Sequence, residues 1–275
     1  MGQSSHDSAS RELQEGQTRE IQREAEGVAD SRDGQERSVA LDSESRAKVV
    51  WNAFDRRAGT AFSRRNRPHW DQNGAITFVT IRLLDSMPRA VVQRWIAELE
   101  DWLRSKGIDT SKRPVAGDGQ SGFERIILNA PKKIRRAFLK LISQRWHESL
   151  DACYGRCLLR HKPFAQIVAE AFLQFDCQRY DVERFVVMPN HCHLLVQMRV
   201  GWGLRKQCES WMRFTGRKIN RINGVSGKFW AEPFDHIVRS DAQFLYLQKY
   251  ILDNPVKAKL AAGNYLLWVR DRGFL

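Results

Sequence analysis

No stretch of the chain stays apolar for the roughly 18–20 residues that a membrane-spanning helix needs. The segment Met1–Ser10 also lacks the apolar centre of a signal peptide. The expectation is a soluble, cytoplasmic protein with no membrane partner. The five cysteines, Cys153, Cys157, Cys177, Cys192 and Cys208, form an odd set without CxxC pairs, which argues against a disulfide framework and for reduced thiols. The seven histidines are scattered, too few and too dispersed for the many-ligand site of a barrel hydrolase. Phe, Trp and Tyr are absent from residues 1–48, where Ser, Gln, Glu, Arg, Asp and Gly dominate. Such a stretch cannot bury enough apolar surface to offset its ordering entropy, so it reads as a disordered polar tail.

The folded part is expected to run from 49 to 275 as one catalytic-size domain, with 42% hydrophobic residues over the whole chain. Charge divides at the same boundary. Residues 1–50 hold seven Lys/Arg against eleven Asp/Glu, a net of −4, and the remaining 225 hold 38 against 21, a net of +17. A basic folded part suits a phosphate-rich partner, because cations that neutralise phosphates release counterions; an ordinary basic surface is the other reading. Arg56, Arg57, Arg64, Arg65 and Arg67, with His69 and Trp70, form an Arg-dense stretch that suits either a phosphate grip or a solvated arm.

Ala75–Leu83, rich in β-branched residues, reads as a strand. Arg89–Lys106 places Val92, Trp95, Ile96, Leu99, Trp102 and Leu103 at helical spacing, and Lys132–Ser149 does the same with Phe138, Leu139, Leu141, Ile142 and Trp146. Residues 109–122 read as a loop, and Pro163–Gln178 as a third helix with Pro in its first turn. Cys153, Cys157 and His161 would align on a helix, yet Gly155 and Pro163 interrupt it, which favours packing over a zinc site.

The most informative segment is Asp181–Met198, read as strand, turn at Pro189-Asn190, and strand. Side chains alternate along a strand, so His191 and His193 share a face while Cys192 points the other way with Leu194 and Val196. Two imidazoles on one face are either a pair of metal ligands or satisfied polar histidines at a sheet surface. A helix follows at Leu204–Arg221, with Arg205, Lys206, Arg213, Arg217 and Lys218 dense upon it as candidate phosphate contacts. Trp202, Trp211, Phe229 and Trp230 are either core or platforms for unpaired bases. A last helix, capped by Asp241 and reaching about Asp253, sets Tyr250 and Asn254 four residues apart on one face, with Pro255 limiting its extent. Tyr246, one turn earlier, is a rival to Tyr250.

MPNHCHLLV from Met188 to Val196, FWAEPFDHIVR from Phe229 to Arg239 and KYILDNPVKAKL from Lys249 to Leu260, in that order, resemble the REP-associated tyrosine transposases, relatives of the single-tyrosine insertion-sequence transposases of the HUH nuclease superfamily. The resemblance covers most of residues 51–260. It implies an α+β fold with a ferredoxin-like core, a central antiparallel β-sheet packed by helices. It also implies a metal site of His191, His193 and Asn254 holding Mg²⁺ or Mn²⁺, and Tyr250 as the nucleophile. The implied activity is single-stranded DNA cleavage and strand transfer at hairpin-forming or palindromic repeats through a covalent 5′-phosphotyrosine. The implied setting is bacterial and nucleoid-associated, as monomer or homodimer. Two departures stand out: Cys192 fills the family's hydrophobic slot, and residues about 104–180 form an insertion or extension. A catalytically silent or regulatory DNA-binding protein retaining the transposase fold is the alternative function.

Overall fold

The computed structural model describes residues 49–55, 61–64, 68–72, 74–111, 123, 126–127 and 129–274. The expected tail at 1–48, much of the Arg-dense stretch and most of the 109–122 loop lie outside the described residues. Among these residues eight strands and five long α-helices follow in chain order: β1 Ala61–Arg64, β2 Pro68–Asp71, β3 Ile76–Arg82, α1 Arg89–Ser105, α2 Lys132–Asp151, α3 Lys162–Leu173, β4 Tyr180–Val187, β5 His191–Met198, α4 Leu204–Ile222, β6 Phe234–Ile237, α5 Asp241–Lys257, β7 Leu266–Val269 and β8 Gly273–Phe274. Strands β1 and β2 pair as a small ribbon, and the other six form one antiparallel sheet in the order β6-β3-β5-β4-β7-β8.

Within it, β6-β3-β5-β4 is the ferredoxin-like arrangement. The hairpin β4–β5 sits beside β3, and two helical crossovers, one through α3 and one through α4, return the chain across the sheet. Both helices cover one face. Leu204, Cys208, Trp211 and Ile219 of α4 and Phe164, Val168 and Phe172 of α3 pack there against Val79, Ile81, Val182, Phe185, Cys192, Leu194 and Val196. Burying each such Leu, Val or Phe contributes about 1.5–3 kcal/mol, which fixes the alternation of the strands. Cys192 is fully buried among them and acts as the small hydrophobe expected of it.

The opposite face carries α5, whose Leu247, Tyr250 and Ile251 pack on Ile76, Phe78, Val186, Met188 and Leu195. The start of α5 is set by Ser240, whose Oγ accepts from the Gln243 backbone N–H at 3.2 Å, so the cap is one residue earlier than the Asp241 expected. A bulge in β4 between Val182 and Arg184 ties the helix down. There Glu183, buried and paired with Arg184 at 2.6 Å, accepts a hydrogen bond from Gln248 Nε2 at 2.9 Å. Pro255 does not end α5 as expected. The helix runs through it to Lys257, because proline removes one backbone donor but leaves the Asn254 carbonyl free to accept from Ala258 at 3.0 Å.

The region 104–180 resolves into parts of different kind. Helix α3, which ends at Leu173 rather than Gln178, belongs to the core. Helices α1 and α2 form a separate pair around Leu99, Leu103, Phe123, Ile127 and Phe138. The end of α2 reaches the α5 face of the sheet.

Candidate active site

His191 and His193 leave β5 on the same face, ring centroids 4.6 Å apart, and both are fully buried. Each has one ring nitrogen fixed. His191 Nδ1 lies 2.8 Å from Asn190 Oδ1, and His193 Nδ1 lies 2.8 Å from Thr80 Oγ1 on the neighbouring strand. Phe78 stacks on the His193 ring at 5.2 Å. These contacts direct both Nε2 atoms toward α5, where His193 Nε2 lies 3.4 Å from the Tyr250 hydroxyl.

Burial pushes His191 down to about 3, with His147 adding to the effect and Asn254 opposing it. His193 is held well below its ordinary value by burial and then by His191 and His147. Both imidazoles are therefore neutral at pH 7, the state in which a ring nitrogen can bind a metal.

Tyr250 and Asn254 stand one helical turn apart on α5, Asn254 fully buried and Tyr250 nearly so. The Asn254 amide lies near enough to His191 and Tyr250 to bear on the ionisation of both, but neither its oxygen nor its nitrogen closes a hydrogen bond. His191 Nε2 is likewise buried without a partner. Buried polar atoms ordinarily find partners, and leaving one unmet costs about 1–3 kcal/mol. The open Asn254 amide oxygen and His191 Nε2, with His193 Nε2 beside them in a 3.4 Å contact to the Tyr250 hydroxyl, form a donor set that fits a divalent cation, so His191, His193 and Asn254 suit the ion expected. Tyr246, the rival, is 64% exposed and stacks on Tyr250 at 6.4 Å, whereas Tyr250 is 9% exposed and faces the histidines.

Two further residues converge on the tyrosine and a third on His193. His147, near the end of α2, places Nδ1 2.8 Å from the Tyr250 hydroxyl. Lys257, two turns along α5, sets its ammonium 5.1 Å from the centre of the Tyr250 ring. Thr80 orients His193. None of the three has a signal in the local sequence, because each acts through a contact between elements distant in the chain. His236 lies on β6 beside Phe78 at 5.3 Å, and burial pushes it to about 4. A cavity of about 450 Å³ opens beside Tyr250 and His147, lined among others by Phe78, Thr80, Trp146, His236 and Tyr246.

Helix α4 lies on the far face of the sheet from Tyr250. Arg205, Lys206, Arg213 and Arg217 are exposed there and Lys218 is half-buried, with Arg205 paired to Glu209 at 3.2 Å. The structure does not bring them to the histidine–tyrosine cluster. Trp211, Phe229 and Trp230 are core, and only Trp202 of that group is exposed, under the Arg179 guanidinium at 4.6 Å. Cys153 and Cys157 both have left-handed backbone, which breaks the helix that would have aligned them with His161, and Cys157 Sγ donates to the Cys153 carbonyl at 2.8 Å.

A second group, Asp176, Cys177 and Asp181, brings its ligand atoms within 4.8 Å of one another and could hold a metal ion. Its carboxylates are, however, engaged by guanidiniums: Arg270 meets Asp176 and Arg199 meets Asp181, each at 2.6 Å. Among the described residues no helix is long and apolar enough to cross a membrane.

No family model matches the chain, and no curated protein matches it by sequence. Among solved structures it is similar to a REP-associated tyrosine transposase bound to a REP hairpin, at 13% identity, covering 72% of this chain and 76% of that one, with a TM-score of 0.36. At that distance the likeness carries no weight for function.

Proposed function

We propose that the chain is a metal-dependent single-stranded DNA endonuclease and strand transferase, a transposase in type, that acts at hairpin-bearing DNA through a covalent 5′-phosphotyrosine on Tyr250. The observation that supports this most is the convergence of the Tyr250 hydroxyl, His193 Nε2 and the unpartnered His191 Nε2 and Asn254 amide on one buried point. A structural tyrosine packed on a sheet has no need of that company. Two of the three motifs that resemble single-tyrosine transposases, Met188–Val196 and Lys249–Leu260, fall on β5 and α5, the elements that carry these groups.

A Mg²⁺ or Mn²⁺ ion held by His191, His193 and Asn254 would polarise the scissile phosphate and offset the negative charge that repels a nucleophile. Tyr250 supplies the attacking oxygen, and α5 holds it in line with the cavity through which a strand would enter. Lys257 adds positive charge beside the ring. The bond energy is kept in the phosphotyrosine, so a 3′-hydroxyl can reverse the step on another strand without a separate energy source. Arg205, Lys206, Arg213, Arg217 and Lys218 would hold phosphates at a distance from the reacting one, on the other face of the sheet.

The test is incubation of the full chain with a hairpin-bearing single-stranded oligonucleotide and Mn²⁺, followed by denaturing electrophoresis. A denaturation-resistant adduct is expected from the wild-type protein and from Tyr246→Phe, and none from Tyr250→Phe. An adduct that survives in Tyr250→Phe overturns the assignment. Tight DNA binding with no adduct from the wild-type protein would favour the silent, regulatory reading instead.

A further inference from the structure

We infer that His147 is the general base of the reaction, a catalytic residue that takes the proton of Tyr250; the inference rests on the reading of Tyr250 as nucleophile. A tyrosine hydroxyl is a weak nucleophile until its proton has somewhere to go. The proton must therefore leave as the attack proceeds, to an acceptor already in place.

The histidines of β5 are poorly placed for that task. His193 Nε2 is 3.4 Å from the hydroxyl and is one of the three groups that fit a cation, while His191 Nε2 makes no contact with it. His147 Nδ1 is 2.8 Å away, the closer of the two histidine contacts to the phenolic oxygen. It comes from α2, outside the sheet, and belongs to no element of the candidate metal site. Burial and then Lys257 keep His147 below its ordinary value, so its ring is neutral at pH 7 and has a lone pair to offer. The ring also lines the cavity together with Tyr250, so a strand entering there meets both groups.

The step balances without a further reagent. The proton of Tyr250 passes to His147 Nδ1 as the phenolic oxygen bonds to phosphorus. The bond from phosphorus to the 3′ oxygen breaks, its electron pair goes to that oxygen, and the oxygen takes a proton from solvent. In the reverse direction a 3′-hydroxyl attacks the phosphotyrosine, its proton passes to solvent, and the departing phenolic oxygen recovers its proton from the His147 imidazolium. The pair α1–α2, which the ferredoxin-like core does not require, thus contributes a reacting group.

The experiment is single-turnover adduct formation on the hairpin oligonucleotide with Mn²⁺, comparing wild type, Tyr250→Phe, His147→Gln and His147→Ala. Loss of a general base lowers a rate by about 10²–10⁴-fold. At saturating DNA, His147→Gln and His147→Ala are expected to lose at least about 10²-fold in adduct rate. Added imidazole is expected to restore part of the rate of His147→Ala in proportion to its concentration, which repair of a merely structural defect would not produce, and to restore nothing in Tyr250→Phe. A wild-type rate in His147→Gln, or a faster rate in His147→Ala, overturns this inference alone. Absence of imidazole rescue in a folded His147→Ala protein does the same. Failure of the wild-type protein to form the adduct, or persistence of the adduct in Tyr250→Phe, overturns the transferase reading and this inference with it.

Discussion

Thr80 and His193 stand directly opposite each other in the β3–β5 ladder, and the Thr80 hydroxyl lies 2.8 Å from His193 Nδ1. The ladder itself therefore decides which imidazole nitrogen is left for chemistry. With Nδ1 engaged, Nε2 faces Tyr250 and the candidate cation site.

Removing that hydroxyl should loosen the ring without disturbing the sheet. Thr80→Val keeps the shape and β-branching of the side chain, so the fold should persist. Partners that orient metal-binding histidines typically contribute 10–100-fold to affinity or activity. A loss of about that size in Mn²⁺ affinity is expected by calorimetric titration. An unchanged affinity would mean that the Phe78 stack alone holds the ring.

The open atoms of His191 and Asn254 predict ligand-linked stability. A cation that binds only the folded chain at 100 times its dissociation constant adds about 2.7 kcal/mol. For a folded part of this size that amounts to roughly 5–10 °C in melting temperature. Thermal melts with and without Mn²⁺ should show the increment in the wild type and in Tyr250→Phe, and lose it in His191→Ala and Asn254→Ala. An increment that survives in both of the latter would place the ion elsewhere.

How far the sequence reached is explained by the range of the interactions concerned. His191 and His193 were legible as a pair because strand periodicity is local, and Tyr250 with Asn254 because helix periodicity is. His147 was not, since it meets Tyr250 across 103 residues and nothing in the pattern of α2 tells where its end docks. Thr80 needed the register of β3 on β5. The basic residues of α4 were legible as a cluster, but the face of the sheet that α4 covers is settled by Leu204, Cys208, Trp211 and Ile219 packing on Cys192 and Leu194. Pro255 misled because a rule about backbone geometry was outweighed by the packing of Ile251 and Tyr250 on the sheet.

Arg270 and Asp176 form a second buried relationship, side chains 5% and 8% exposed, with Arg270 also donating to the Val182 carbonyl at 2.7 Å. Breaking such a pair strands a buried carboxylate and costs about 3–5 kcal/mol. Arg270→Met should lower stability by that amount in urea melts, and Mn²⁺ should not restore it. Restoration by the ion would show instead that Asp176, Cys177 and Asp181 bind metal when the guanidinium is removed.

Acid should unfold the metal-free chain earlier than carboxylate titration alone would predict. His147, His191, His193 and His236 are all held below their ordinary value by burial, to about 3 for His191 and about 4 for His236. Unfolded, each takes up a proton near pH 6.5; folded, each stays neutral to lower pH. Above pH 6.5 their stabilising contribution is fully present. As pH falls from 6.5 toward 4 the unfolded state binds more protons, and His191, His193 and His236 each remove up to about 1.4 kcal/mol per pH unit, with His147 acting in the same direction. Asp151 works the other way, because burial raises it to about 6 and the folded state gains relative stability as pH falls from there toward 3.8. One carboxyl offsets about one histidine and leaves the others uncompensated. Urea midpoints measured in chelator at pH 7, 6 and 5 should therefore fall, more steeply between 6 and 5 than between 7 and 6. Replacing Asp151 by Asn should raise the midpoint at pH 7 and lose that advantage by pH 4. A midpoint that holds or rises from pH 7 to 5 would mean that the histidines take up protons within the fold over that range.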